Sequence, residues 1–199
     1  MTEGLKLAWA SMQSFFTTPG KAMVPYWQDK QWQIWNFAKG QPESGFPYVT
    51  DEKILLDERA GGAYFWITYL PKYLGGGTFY LTGLRDRQGN LFDGKSTYKL
   101  NVPVDTAAKD FWSVIVYSME SKGFIQDAPV VGLSAHNKYT LQFNANGSAD
   151  IYFAPEPPQG MESNWIPTGE DFFLLFRLYG PDQPLFEKTW ILQDVEKVN

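Results

Sequence analysis

The chain has 199 residues, a net charge of −5 at pH 7, 44% hydrophobic residues and no cysteine. This composition is typical of a globular protein with one sizeable domain, and the absence of cysteine excludes disulfides and thiolate metal sites. The sequence has no basic stripe and no apolar run of the roughly 18 residues that a transmembrane helix needs. We therefore expect neither nucleic-acid binding nor a membrane span.

Residues 1–74 are predicted to be a helical and irregular extension, the remnant of a linker or companion domain. Residues 4–16 carry apolar side chains at helical spacing, and we expect this amphipathic helix to dock its apolar face on another part of the molecule. Residues 21–47 are rich in aromatic residues and proline, which predicts an irregular segment packed along the main domain. Residues 51–69 predict a second helix, capped by Asp51.

Residues 75–199 are predicted to form a β domain, because from Thr78 onward the apolar pattern changes to a period of two. The predicted strands are residues 79–84, 97–102, 111–119, 139–143, 149–154 and 172–179. An Asn-Gly turn at residues 144–148 predicts a hairpin between the fourth and fifth of these strands. Frequent turn signals indicate a mainly β fold, an antiparallel β-sandwich.

Two of these strands, residues 111–119 and 172–179, are apolar on both faces. A strand in a two-layer sandwich needs only one apolar face. The second apolar face therefore predicts that another part of the chain, or another chain, packs against it. The N-terminal helices, a companion N-terminal domain and another subunit are the three candidates. The sequence leaves open which of them is the packing partner.

Arg177 is the first candidate functional residue, because the apolar strand 172–179 carries it on the same face as Tyr179. A guanidinium there can anchor a carboxylate or another anion through forked hydrogen bonds. The alternative is a structural ion pair with Glu162 or an aspartate, which is a usual answer to a buried charge. The sequence favours the ion pair.

The loop before that strand adds Glu162, Asn164 and Trp165 as candidates. Trp165 can stack on a sugar or another flat ligand that the amide of Asn164 orients. Trp165 can instead plug the end of the sandwich, and the sequence favours this second interpretation. Glu162 and Asp93 are candidates for the acid and base of glycoside hydrolysis, but Asp93 is more simply part of a turn.

Metal and cofactor chemistry has little support. His136 is the only histidine, so a catalytic triad or a multi-histidine metal site is excluded or incomplete, and its loop position predicts exposure to solvent. The candidate oxygen ligands for calcium are Asp127, Asn144, Asn146 and Asp150, and residues 146–150 loosely follow a calcium-loop pattern without its length or its bidentate glutamate. We expect a turn at these residues, no metal and no cofactor.

Several motifs occur in the order of a known bacterial family. They are residues 77–81 (GTFYL), 91–94 (LFDG), 98–100 (YKL), 111–114 (FWSV), 146–148 (NGS), 162–167 (ESNWIP), 177–181 (RLYGP) and Trp190. On these motifs, the stretch from about residue 64 to residue 198 resembles the bacterial domain of unknown function 1214. The resemblance implies a jelly-roll-like β-sandwich, but it supplies no established catalytic residues.

Such domains form the C-terminal half of exported proteins whose N-terminal half is the domain of unknown function 1254. The resemblance therefore implies a periplasmic or exported protein. The start of this chain lacks the apolar region of a signal peptide, so a cytoplasmic protein is expected if the chain is complete as written.

Two functions follow from the sequence. The first is a noncatalytic module for interdomain or subunit packing that also binds a small polar ligand, with Arg177, Glu162, Asn164, Trp165 and Tyr179 as candidate contacts. The second is an enzyme, or part of one, that acts on a saccharide or another polar compound of the cell envelope. In that case Arg177, Glu162 and Asn164 line the site.

Overall fold

The computed structural model describes residues 2–35, 49, 51–54, 56, 77–138 and 140–198. The chain forms two compact units, Met1–Pro25 with Ile34–Tyr69, and Tyr26–Gln33 with Leu70–Asn199. The domain boundary between residues 74 and 75 stays a prediction. Within the described ranges, no helix is both long enough and apolar enough to cross a membrane.

The first unit begins with α1 (Thr2–Thr17), which confirms the predicted N-terminal helix. Phe16 is buried, and the ring of Phe15 meets the ring of Trp35 edge-on with 6.5 Å between centroids. Leu5 and Leu7 are 66% and 64% exposed. The helix therefore buries Phe16 in its last turn, while its first turns present apolar side chains to solvent.

Residues 21–47 are not wholly irregular, which corrects the prediction. They contain β1 (Met23–Pro25) and β2 (Trp32–Trp35). In the ladder Trp32 lies opposite Gly83, whose missing side chain leaves room for the indole; a Cβ there would lie 2.9 Å from a Trp32 ring carbon. The rest of this segment from residue 36, and most of the predicted second helix at residues 51–69, lie outside the described residues.

The second unit is mainly β, as predicted. Its larger sheet has the order β2-β3-β9-β5-β6 and is antiparallel, and its smaller sheet has the order β10-β4-β7-β8 with β7 and β8 parallel. The strands are β3 (Thr78–Gly83), β4 (Tyr98–Val102), β5 (Ala108–Ser118), β6 (Gly132–Ser134), β7 (Ala149–Ala154), β8 (Trp165–Pro167), β9 (Phe172–Pro181) and β10 (Glu196–Lys197). One short helix, α2 (Gln183–Phe186), follows β9.

The core forms where side chains of the two sheets meet. Phe172 of β9 stacks on Phe92 with 5.0 Å between ring centroids, and it contacts Tyr98 of β4 and Phe153 of β7. β9 is buried on both faces from Phe172 to Phe176, which confirms the prediction of a doubly apolar strand. The sandwich with jelly-roll topology stays a prediction.

The predicted hairpin around residues 144–148 is wrong in part. The turn forms, with Gly147 at φ +81° and its amide bonded to the carbonyl of Asn144. Residues 140–143 are not a strand, however, and β7 pairs instead with β4 and β8. Residue 139 lies outside the described residues.

Candidate functional site

One row of residues crosses the larger sheet. Tyr80 of β3 lies opposite Arg177 of β9, Arg177 lies opposite Ser113 of β5, and Ser113 lies opposite Ser134 of β6. Directly opposed residues of antiparallel strands point to the same face. This face, defined by the row and by Tyr117 and Tyr179 beside it, is called the arginine face below.

Three tyrosines surround Arg177. Its Nη2 donates a 2.6 Å hydrogen bond to the hydroxyl of Tyr117, and its Nη1 lies 3.5 Å from the hydroxyl of Tyr179. The guanidinium carbon lies 5.6 Å from the ring centroid of Tyr80, within the range of a cation–π interaction. Arg177 is thus positioned by neutral groups.

The predicted ion pair between Arg177 and Glu162 or an aspartate is absent from the described part of the chain. The Nε atom of Arg177 is buried and has no hydrogen-bond partner there. The Oγ atom of Ser113, in a residue only 8% exposed, is buried and unpartnered as well. Two polar atoms on opposed residues therefore lack the partners that buried polar groups normally have.

The hydroxyl of Tyr117 can form a second hydrogen bond besides the one that it accepts from Arg177. Burial raises the pKa of its hydroxyl, and the charge and hydrogen bond of Arg177 lower it by less, so the pKa stays above the ordinary value. The hydroxyl is therefore protonated at neutral pH. Because its oxygen accepts from Arg177, its proton can be donated to an acceptor.

Aromatic rings border the arginine face. Phe111 stacks on Tyr179 with 4.0 Å between centroids, and the ring of His136 lies 4.2 Å from that of Phe111. Tyr117 stacks on Phe173 at 5.3 Å. His136 is exposed, as predicted. These stacks hold the tyrosine hydroxyls in place around the guanidinium.

The loop candidates bond to a different part of the fold. Glu162 is exposed, and its Oε1 accepts from the amide of Gly160 at 3.1 Å. Asn164 is 1% exposed. Its Oδ1 accepts from the amide of Gln142 and the hydroxyl of Ser163, and its Nδ2 donates to two carbonyls, those of Gln142 and Asp150. The amide therefore has all its hydrogen bonds within the chain.

Trp165 is half-buried at the start of β8. Its indole nitrogen donates to the carbonyl of Ala154 at 2.8 Å, and the residue lies opposite Tyr152 in the parallel ladder. These contacts favour the interpretation of Trp165 as a structural plug. Of the five candidate ligand residues, the structure brings together Arg177 and Tyr179.

Asp93 anchors a turn. Its carboxylate accepts from Ser96, Tyr98 and Lys197 and from the amide of Lys95. Burial raises the pKa of the carboxyl, but the hydrogen bonds together lower it by more. The net result is a pKa lowered to about 2. A carboxyl with so low a pKa is ionised at neutral pH and cannot serve as a general acid.

The predicted Asn-Gly turn is held by hydrogen bonds among its own residues. Ser148 Oγ donates to Asn146, and the amide of Asn144 donates to Ser148. Among the residues that the structure describes, no group of three histidine, cysteine, aspartate or glutamate side chains is arranged to hold a metal ion.

Strand register reveals three residues that the sequence analysis did not select: Tyr80, Ser113 and Tyr117. Each looks like an ordinary strand residue in the sequence. Only the pairing of β3 and β5 with β9 places them around Arg177. The sequence could have indicated these residues only through a prediction of the strand order that places β9 between β3 and β5.

Comparisons with known proteins give a fold and a family. The structure is similar to that of the VPA0106 protein from Vibrio parahaemolyticus, with a TM-score of 0.56 and 21% identity over 72% of this chain and 35% of that one. It also matches an uncharacterized protein from Burkholderia cenocepacia, with a TM-score of 0.40 and 19% identity over 61% of this chain and 29% of that one. This chain thus spans about a third of the length of these similar structures.

No match was found among curated proteins. A family model described as "Protein of unknown function (DUF1214)" matches residues 77–183, which is more than half of the chain and includes the whole of β3 to β9. The motifs of the sequence analysis lie almost entirely within this match. The chain therefore belongs to the DUF1214 family of proteins of unknown function.

Proposed function

We propose that the chain is a noncatalytic β-sandwich module of an exported protein. It packs against a companion N-terminal domain or another subunit, and it binds a small polar ligand on the arginine face. The observation that carries the ligand-binding part is Arg177, a cation held by tyrosines, without a carboxylate partner among the described residues and with a buried, unpartnered Nε.

An arginine in this arrangement raises the free energy of the folded state when no ligand is bound. A buried donor without a partner costs about 1–3 kcal/mol, and an uncompensated charge costs more. The tyrosine hydroxyls satisfy hydrogen bonds of the guanidinium but do not neutralise its charge. A ligand that brings an acceptor to Nε offsets this cost, which supports binding as the reason for the arginine.

The packing part rests on exposed apolar surface. Leu5 and Trp9 lie one turn apart on the same face of α1 and are 66% and 38% exposed, and an apolar helix face in contact with water favours a partner. The greater length of the similar Vibrio structure, of which this chain spans 35%, supports a companion domain.

The experiment is a thermal-shift screen of the purified chain against saccharides, small organic acids and divalent metal ions. We expect a saturable rise in Tm with at least one polar ligand, and loss of this response in Arg177→Met. Arg87→Met is the matched control, because it removes the same charge from a side chain that is 66% exposed. A wild-type response that survives in Arg177→Met would refute the proposed site.

Packing is tested separately by light scattering after gel filtration. We expect the wild-type chain to self-associate, or to bind an added companion domain, and Leu5→Ser with Trp9→Ser to weaken this association. A monomer that binds no companion domain would refute the packing part while leaving ligand binding intact.

A further inference from the structure

We propose that Arg177 and Ser113 together bind the carboxylate of a small organic acid with a single negative charge. This inference rests on the ligand-binding part of the proposed function and adds the class of ligand and a second contact. Its basis is the juxtaposition of two buried, unpartnered polar atoms, Arg177 Nε and Ser113 Oγ, on directly opposed residues of β9 and β5.

The geometry suits a carboxylate. Directly opposed residues have Cβ atoms about 5 Å apart, so one carboxylate, with two oxygens that each accept, can reach both side chains. The side of a guanidinium that carries Nε and Nη2 offers two parallel N–H donors, the arrangement that pairs with a carboxylate. Nη2 has two hydrogens, and one of them suffices for its bond to Tyr117.

Ser113 adds a donor of a different kind. Its residue is 92% buried, since 8% is exposed, and its hydroxyl has no partner among the described residues. A hydroxyl can rotate to donate to an oxygen that the guanidinium already holds. The proton of Tyr117 is a third donor within the same cluster, because the oxygen of Tyr117 is occupied by Arg177.

The arginine face carries one positive charge, which matches a ligand with one negative charge. Arg177 is the only charged residue at the positions that share the face between Phe111 and Tyr117 on β5 and between Phe173 and Tyr179 on β9. The other donors are neutral hydroxyls. The net charge of the chain is −5, which disfavours a ligand with two or more negative charges.

A neutral saccharide is also disfavoured. It offers hydroxyls, which leave the charge of Arg177 uncompensated in a partly buried place. The described surroundings of the guanidinium already consist of hydroxyls and an aromatic ring. What they lack is a negative charge, which a carboxylate supplies.

The test uses the full chain and defined probes. Acetate and benzoate are compared with the neutral amides of the same shape, acetamide and benzamide, and with inorganic phosphate, at pH 7 and constant ionic strength. Thermal unfolding detects binding, and isothermal titration calorimetry gives the Kd. The variants are Ser113→Ala and Arg177→Met, with Ser163→Ala and Arg87→Met as controls that remove the same groups outside the arginine face.

We expect acetate or benzoate to raise the Tm saturably, and the amides and phosphate to have no effect at the same concentration. Arg177→Met should abolish binding. Ser113→Ala should weaken carboxylate binding about tenfold, the loss expected for one hydrogen bond to a charged group. Without ligand, Ser113→Ala should be at least as stable as the wild type, because it removes an unpartnered buried hydroxyl.

Two results would overturn the inference alone. One is an Arg177-dependent response to phosphate or to a neutral compound with none to the carboxylates, and the other is a carboxylate Kd unchanged by Ser113→Ala. In both cases ligand binding on the arginine face would stand. A wild-type protein that responds to no probe or panel compound, or an Arg177→Met variant that responds as the wild type does, would overturn both.

Discussion

The Nη2 atom of Arg177 donates to the hydroxyl of Tyr117 over 2.6 Å, although Tyr117 lies four residues along β5 from Ser113, the direct neighbour of Arg177 in the ladder. The guanidinium therefore bonds to tyrosine hydroxyls from both sides of its row, since Tyr117 and Tyr179 flank the Arg177–Ser113 pair in opposite directions along the strands. A neutral hydroxyl satisfies one of its donors without neutralising its charge. The positive charge stays available on this face.

Removal of the Tyr117 hydroxyl should destabilise the fold. Tyr117→Phe leaves Nη2 of Arg177 without this acceptor, so we expect the free energy of unfolding to fall by about 1–3 kcal/mol. In the double variant Tyr117→Phe/Arg177→Met both polar groups are gone, and replacement of both partners by apolar groups can be nearly neutral. Urea unfolding of the wild type, both single variants and the double variant measures the coupling.

One outcome of this double-mutant cycle would contradict the prediction. If the two single losses simply add in the double variant, the hydrogen bond contributes nothing and Arg177 is held by other contacts. Tyr152→Phe provides the control, since it removes a tyrosine hydroxyl from a half-buried strand residue of the smaller sheet, away from Arg177.

The strand that carries Arg177 could be predicted, and its partners could not. Residues 172–179 form an apolar run interrupted only by Arg177, and such a run predicts a strand buried on both faces. The sequence shows charges, so Glu162 was the natural partner to expect for Arg177. It does not show that β3 and β5 flank β9, and only this order brings Tyr80, Tyr117 and Ser113 to the arginine.

A side chain at Gly83 should disturb the pairing of β2 with β3. A Cβ at this position would lie 2.9 Å from the ring of Trp32, which is itself 1% exposed and cannot move freely. We expect Gly83→Ala to lower the free energy of unfolding by about 1–3 kcal/mol, the usual cost of overpacking. Trp fluorescence and urea unfolding check this.

Gly77 offers the matched control, because a Cβ there meets nothing within 4 Å. Gly77→Ala should change stability by less than about 1 kcal/mol. Equal effects of the two substitutions would show that the indole of Trp32 does not restrict position 83.

Asp93 should make stability depend on pH in the acid range. Its pKa is lowered from 3.8 to about 2 in the folded protein, so the folded state binds a proton less readily than the unfolded chain does. The contribution is therefore present above the unfolded pKa and is lost as the pH falls from about 4 to about 2. Because the side chain is 43% exposed, solvent screening reduces its size.

The measurement is urea unfolding of the wild type and Asp93→Asn at pH 6, 4, 3 and 2. We expect the wild type to be more stable at pH 6 and the difference to shrink toward pH 2. Lys197→Met removes one of the donors to Asp93 and should show a smaller effect with the same trend. A difference that grows on acidification would contradict the lowered pKa.

The failed hairpin shows where local sequence signals stop being sufficient. The Asn-Gly turn forms as its residues dictate, but the segment before it does not pair with β7. The side-chain amide of Asn164 takes that place: it accepts from the amide of Gln142 and donates to its carbonyl, at 2.7 and 2.8 Å. A side chain 22 residues away in sequence thus replaces a strand partner, which no local pattern indicates.

Asn164 should therefore matter for stability rather than for ligand binding. Asn164→Leu removes the partners of the Gln142 amide and of the carbonyls of Gln142 and Asp150, so we expect a loss of about 3 kcal/mol or more. Hydrogen exchange of the Gln142 amide should accelerate. Ser163→Ala, which removes one hydroxyl bond to Asn164, and Glu162→Gln, at an exposed site, should each cost less than about 1 kcal/mol. A carboxylate response lost in Asn164→Leu while the protein is still folded would instead place this amide in the binding site.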